Sequence, residues 1–186
     1  MKDFYNKITG HFVLECINKD EKITDRYEDN NLIMDTARVN MCDIITGLSS
    51  GLNINKFVLG TKGHVDGDLI SPKTSATGFV SSRTQLFSEE SLDFFYPIQF
   101  TPANSEDAAA TNIIETNVGS TVHILKSGST VTYSIVVPVT AANSTGSVAY
   151  TEAALYAGSR IFSAKCFGAK VKDDTVSLRI TWSISF

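Results

Sequence analysis

The sequence predicts a mainly β protein: an antiparallel β-sandwich of about eight to ten strands with one α-helix, over residues 36–48. Three observations carry that prediction. From Thr175 to Phe186 polar and apolar residues alternate without a break, the period-two signature of a half-buried strand. Short apolar runs separated by polar turns recur along the chain with no βαβ rhythm, which favours a sandwich. One stretch, around Ala37 to Leu48, has helical spacing.

Taken in order, His11 to Ile17 reads as a strand with Phe12, Leu14 and Cys16 on one face. The polar turn 18–21 joins it to a weakly alternating partner, Lys22 to Glu28, as a hairpin. Asp35 or Thr36 is positioned as the N-cap of the helix. Ala37, Met41, Ile44, Ile45 and Leu48 recur along it, and Gly47 with Ser49-Ser50-Gly51 ends it. Asn55 to Leu59 is a short strand, followed by a long loop over 61–76. Thr77 to Phe87 is a weak strand. Leu92 to Thr101 is aromatic, with Pro97 favouring an edge or a bulge. A second long loop covers 101–112. Asn112 to Val118 and Thr121 to Leu125 are short apolar runs. Ser129 to Val139 is a clear strand with Val131, Tyr133, Ile135, Val137 and Val139 on one face. Val148 to Tyr156 reads either as a strand or as a helical turn. Arg160 to Phe167 is a strand, and Thr175 to Phe186 closes the chain. At a rise of ~3.3 Å per residue the closing run reaches roughly 40 Å. Its apolar last residue is expected to be tied into the sheet rather than frayed. A single domain of 186 residues accommodates all of this.

The bulk chemistry narrows the function. Net charge is −4 and the pI about 5.3, so no basic surplus is available for phosphates and nucleic acid is not expected as the main ligand. Mean hydropathy is +0.01, and no run approaches the ~20 apolar residues of a membrane helix. No signal peptide is evident. A product made in the cytoplasm and soluble there is expected. The three cysteines, Cys16, Cys42 and Cys166, are far apart and form no CxxC pair. They read as reduced thiols, mostly buried.

Catalytic patterns are missing from the sequence. It contains no G-x-S-x-G, no P-loop and no G-x-G-x-x-G. Three histidines, His11, His64 and His123, lack metal-ligand spacing. Asp66 and Asp68 could offer oxygen to Ca²⁺, but the rest of a calcium loop is absent and a solvated Asp-Gly turn is the better reading. The adjacent acids Glu89-Glu90 and Asp173-Asp174 would point to opposite sides of an extended chain. A non-enzymatic protein without metal or cofactor is expected. The run Phe94-Phe95-Tyr96 faces both ways on a strand, so one side of it is expected to be covered by a partner. A carbohydrate-binding surface is the alternative.

Several segments together carry a family likeness. They are Gly10 before the first strand, Asn30 to Asp35 (NNLIMD) before the helix, and Phe57 to Thr61 (FVLGT) after it. Tyr150 to Leu155 (YTEAAL) follows with Arg160-Ile161-Phe162, then Lys170 and the closing Arg179 to Phe186 (RITWSISF). In these the sequence resembles small virion proteins of tailed bacteriophages, of the collar, neck and tail-fibre-attachment kind. The likeness spans most of the chain except roughly 62 to 112. It implies a non-enzymatic structural component, located in the virion and assembled in the host cytoplasm. Its partners would be further copies of itself, in a ring or other multimer, and other virion proteins. The alternative is an adhesin module such as a fibre or capsid-attached protein. Glu152 and Arg160 bracket a turn in this pattern. They are expected either as two solvated charges or as a pair or neighbour contact. With Phe94, Phe95, Tyr96, Arg179 and Thr181 they make up the predicted interface. Arg179 and Thr181 sit on the small, polar face of the closing strand, part of which is expected to lie against a neighbouring subunit.

Overall fold

A computed structural model describes residues 8–47, 54–88, 95–97, 112–115, 121–143 and 146–186; in 95–97, 112–115 and 121–123 it describes the backbone alone. The predicted first hairpin is present as β1 (Thr9–Ile17) and β2 (Ile23–Asn30). Asn18 closes its turn, accepting hydrogen bonds from the N–H groups of Asp20 at 3.1 Å and Lys22 at 2.9 Å. Next come β3 (Leu32–Ile33) and helix α1 (Asp35–Thr46). Gly47 ends the helix in the left-handed region, with φ of 70°. Neither Asp35 nor Thr36 is the N-cap; Met34 holds that position without a side-chain bond. Tertiary contacts occupy both candidates. The Asp35 N–H donates to Ser81 O at 2.9 Å, and the Thr36 hydroxyl donates to Ile161 O.

The chain continues through β4 (Ile54–Gly60), β5 (His64–Val65), β6 (Asp68–Pro72) and a 3₁₀ turn at Ser75–Thr77. The stretch 61–76, expected as a loop, therefore contains a small hairpin. The weak strand expected over Thr77 to Phe87 is not formed. The chain there runs irregularly, because its apolar Phe79 and Leu86 cover a sheet from outside instead of joining one. The remaining strands are β7 (Phe95–Pro97), β8 (Asn112–Glu115), β9 (Thr121–Ser127), β10 (Thr130–Val137), β11 (Ser147–Ala157), β12 (Arg160–Asp173) and β13 (Ser177–Ser185). Val148 to Tyr156, ambiguous in sequence, is strand throughout. The expected loop over 101–112 lies almost wholly outside the described residues.

Two antiparallel sheets pack face to face, as in a sandwich. Sheet A has the order β2-β1-β13-β10-β9-β8, and sheet B the order β3-β12-β11-β4-β7. β5 and β6 pair apart from both. The closing strand is thus central, held by β1 on one side and β10 on the other. Its end is tied, with Phe186 N–H donating to Ser129 O at 3.1 Å. The alternation of β13 sends Leu178, Ile180, Trp182 and Ile184 into the space between the sheets, each at most 1% exposed. There the Trp182 ring meets Phe12 edge-on at 4.9 Å, and Phe12 stacks on Phe167 at 5.6 Å. Cys16 and Cys166 are buried and Cys42 exposed; all three are free thiols. Burial raises the Cys16 and Cys166 thiols to about 11 and about 12, which makes both inert.

Sheet B carries a second, smaller core on its other side. Val58, Ala154, Ile161 and Ala164 face outward there and are covered by Met34 and Leu86, with Phe79 packed against them. Residues 61–88 are therefore a third layer laid over sheet B. Small side chains on β11 and β12 let that layer come close.

Candidate functional site

The centre of the third layer is an irregularity in the β11–β12 pair. Tyr150 pairs with Lys170 and Glu152 with Cys166, so that Phe167, Gly168 and Ala169 face Thr151 alone. Such a bulge resets which way the side chains point. Tyr150 is consequently in the main core, whereas Glu152, two residues on, faces outward beneath the insert.

Glu152 is 0% exposed. Its Oε2 accepts the Phe87 N–H at 2.9 Å, and its Oε1 accepts the Ser88 N–H at 2.8 Å and the Lys62 N–H at a longer 3.4 Å. One carboxylate thereby fixes both ends of the insert to the strand beneath. Close backbone approach makes this possible. A Cβ on Gly60 would stand 2.6 Å from Glu152 Cγ, and one on Gly63 would stand 2.5 Å from Thr151 O. Thr151 adds a further tie, its hydroxyl accepting the Gly63 N–H at 2.9 Å. At the other side of the bulge, a Cβ on Gly168 would stand 2.8 Å from Ile70 O. The insert is seated at three neighbouring positions: Glu152, Thr151 and Gly168.

Electrostatics at the seat oppose one another. Burial pushes the Glu152 carboxyl above the ordinary carboxylate range, while the Phe87, Ser88 and Lys62 N–H groups and the Arg83 charge pull it down. The Arg83 guanidinium lies 3.6 Å from the Phe87 ring centre, and Lys73 Nζ lies 5.0 Å from it. These cations brace the ring whose backbone N–H holds the carboxylate. The crevice beside Glu152, lined by Met34, Phe79, Arg83 and Leu86, has no room for a water molecule. A carboxylate whose oxygens are engaged, with no space for substrate, positions a layer of structure and is not placed for proton transfer.

A second buried charge lies elsewhere on β12. Lys172 is 0% exposed, and its Nζ donates to Asp173 O at 2.7 Å and Val139 O at 3.2 Å. Burial lowers its pKa, against the pull of Asp173 and Asp174. It ties the turn after β10 to sheet B. Among the described residues no three His, Cys, Asp or Glu side chains converge as a metal site would require. Asp66 is fully exposed, in a turn where Gly67 takes φ of 83°.

The predicted interface residues fall on different elements where they are described. Phe94 lies outside the described residues. Phe95 and Tyr96 lie in β7 at the edge of sheet B, opposite Val58 and Phe57, and their side chains are likewise outside the description. Arg160 is exposed at the β11–β12 turn. The expectation for Glu152 is corrected: it belongs to the middle of a strand, is neither solvated nor paired with Arg160, and is spent inside the molecule. Arg179 and Thr181 are on the outer face of sheet A. There Arg179 Nε donates to Glu15 at 2.7 Å. Sequence reasoning missed Gly63 and Gly168, and had Gly60 and Thr151 only as members of motifs, without their role in the seat. A signal was present, since a lone acid in the small, apolar run Ala153-Ala154-Leu155 is out of place on a surface strand.

The outward side of the insert is apolar along β6. Leu69 and Ile70 in β6 are 50% and 79% exposed. Helix α1 shows Val39 and Ile45 to solvent in the same way, at 50% and 81%. No family model, characterised protein or solved structure matches the chain. Among the described residues no helix is long and apolar enough to cross a membrane.

Proposed function

We propose that this chain is a non-enzymatic structural protein that works by contact with other copies of itself and with neighbouring proteins. The observation that carries the reading is the insert: a layer fixed from inside by a buried carboxylate, presenting Leu69 and Ile70 to solvent. Exposed apolar side chains on a rigid support suit protein contact. The motif resemblance extends the reading to a component of a phage virion, in the collar, neck or tail region. Two motifs of that resemblance, Gly60 and Glu152, meet in the seat of the insert, which gives them a shared structural reason.

Native mass measurement at micromolar concentration tests the contact reading. A defined multimer that dissociates on Ile70→Ser supports it, and a monomer throughout overturns it. Copy number in purified phage particles tests the extension, and absence from the particle sinks it. The adhesin alternative rests on the aromatic run at 94–96 alone.

A further inference from the structure

Sheet A ends on an unshared edge. β2 is its outermost strand, and among the described residues no strand pairs with the far side of β2. All of its residues are exposed except Tyr27, which is half-buried. Alternate residues of such a strand turn their main-chain N–H and C=O groups away from the sheet. Edges of this kind are commonly blunted by proline, by a bulge or by lysine. From Asp25 to Asn30 (DRYEDN) β2 has no proline, glycine or lysine, and its register with β1 is unbroken.

Charge is left to guard the edge, and there it cancels. On the inner side Asp25 and Asp29 are met by lysines of the other sheet, Lys170 Nζ and Lys165 Nζ each lying 2.6 Å from a carboxylate oxygen. On the outer side stand Arg26 and Glu28, opposite in sign and 2.6 Å apart. Both keep bonding capacity. Arg26 uses Nε on Glu15 and Nη2 on Glu28, which leaves Nη1, and each carboxylate oxygen of Glu28 can accept twice.

The order of these charges matches a second copy of the same strand. Two β2 strands set antiparallel about a two-fold axis perpendicular to the sheet keep outer side chains opposite outer ones. With the axis at Tyr27, Arg26 stands opposite the second copy's Glu28, and Glu28 opposite its Arg26. Asp25 and Asp29 then come opposite each other, each carrying its own lysine. An axis at Arg26 or at Glu28 instead sets like charges face to face, which is destabilising. We propose that β2 is the edge by which two copies of this chain join, antiparallel about Tyr27, so that sheet A continues into the sheet A of the second copy. Main-chain hydrogen bonds hold such a pair, and the charges choose its partner and register. The proposal rests on the reading that the chain works by contact with copies of itself, and adds a surface apart from Ile70.

Sedimentation velocity on the full chain tests it, with Arg26→Glu and Glu28→Arg made separately. The two side chains are 51% and 42% exposed, so both variants should fold, which circular dichroism checks. One variant has an all-acidic outer side at this edge and the other an all-basic one. Each alone is expected to lose the two-fold step, so that the mass of the parent assembly falls by half. An equimolar mixture of the two should recover that mass, because acid then meets base at both crossings. A folding defect within either chain could not be repaired by mixing. A parent multimer whose mass neither variant changes, or losses that mixing does not restore, would overturn the edge pairing and leave the contact reading standing. A parent that is monomeric at every concentration overturns both.

Discussion

The outer face of sheet A and the outer face of sheet B solve the same problem in opposite ways. On sheet A the strands β2, β1 and β13 carry a chain of ionisable side chains that end on one another. His11 Nε2 lies 3.1 Å from Glu28, Arg26 reaches Glu28 at 2.6 Å and Glu15 at 3.4 Å, and Arg179 reaches Glu15 at 2.7 Å. Towards β10 the ions give way to hydroxyl pairs, Thr132 with Ser183 at 2.9 Å and Thr130 with Ser185 at 2.8 Å. Among the described residues, these side chains find their partners within their own sheet. The outer face of sheet B shows Val58, Ala154 and Ile161, which need a cover, together with one acid that needs donors. The insert supplies both. An irregular backbone laid over a sheet has N–H groups to spare, and a buried carboxylate collects them. The insert is thus part of the fold, whereas each exposed ion pair on the outer face of sheet A contributes little to stability.

Several measurements would break or sharpen this contrast. The largest effect is expected for Glu152→Ala, which leaves the Phe87 and Ser88 N–H groups buried without an acceptor. A loss of about 3 kcal/mol or more in denaturant unfolding is expected, with new protease cleavage inside 61–88. Glu152→Gln should fall between that variant and the parent, because its NH₂ would oppose one of two N–H donors. Gly63→Ala comes next, at about 1–3 kcal/mol, since the Thr151 carbonyl that its Cβ would meet is main chain and cannot swing away. Arg179→Ala on the other sheet should cost ~0–1 kcal/mol, and less in high salt. A cost there equal to that of Glu152→Ala would abolish the distinction between the faces. The smallest stability effect is expected for Ile70→Ser, within about 0.5 kcal/mol.

Acid separates the two kinds of carboxylate by sign. Glu152 is held above the ordinary carboxylate range by burial. Its contribution to stability is present in full below its unfolded pKa and is lost as pH rises through the folded value. Asp29 behaves oppositely. Its hydrogen bond from Lys165, at 2.6 Å, leads the causes that hold it low, so its contribution is lost as pH falls. Measured between about pH 4 and 7, the stability of the parent relative to Glu152→Gln should rise as pH falls. A flat difference would show that the carboxyl is not raised.

What the sequence revealed follows from what is periodic. Most of Thr175 to Phe186 was legible because one face of β13 is dry and the other polar, so Ser177 to Ser185 obey one rule; Thr175 instead belongs to the preceding turn and Phe186 is 41% exposed. The first hairpin and α1 were legible for the same reason, each having its own period and stop signal. Glu152 was not, because its role depends on a bulge three residues deep on the partner strand and on donors more than sixty residues earlier in sequence. Nothing local distinguishes it from a surface acid apart from its apolar neighbours. Phe79 and Leu86 were misread as strand residues, since a cover made of irregular chain has hydrophobicity without period.

The central place of β13 has a consequence for synthesis. β1 is translated before every other strand of sheet A, yet its partner β13 is the last strand of that sheet to be translated, Thr9 pairing with Ser185. At ~5–20 residues per second, the apolar side of the first hairpin waits on the order of ten seconds or more for the strand that covers it. The sandwich closes only once β13 has been made, over long sequence separations, and such closure is slow. Nascent chains stalled before Ser177 should therefore carry an exposed Phe12 and Leu14, and be the species that chaperones hold.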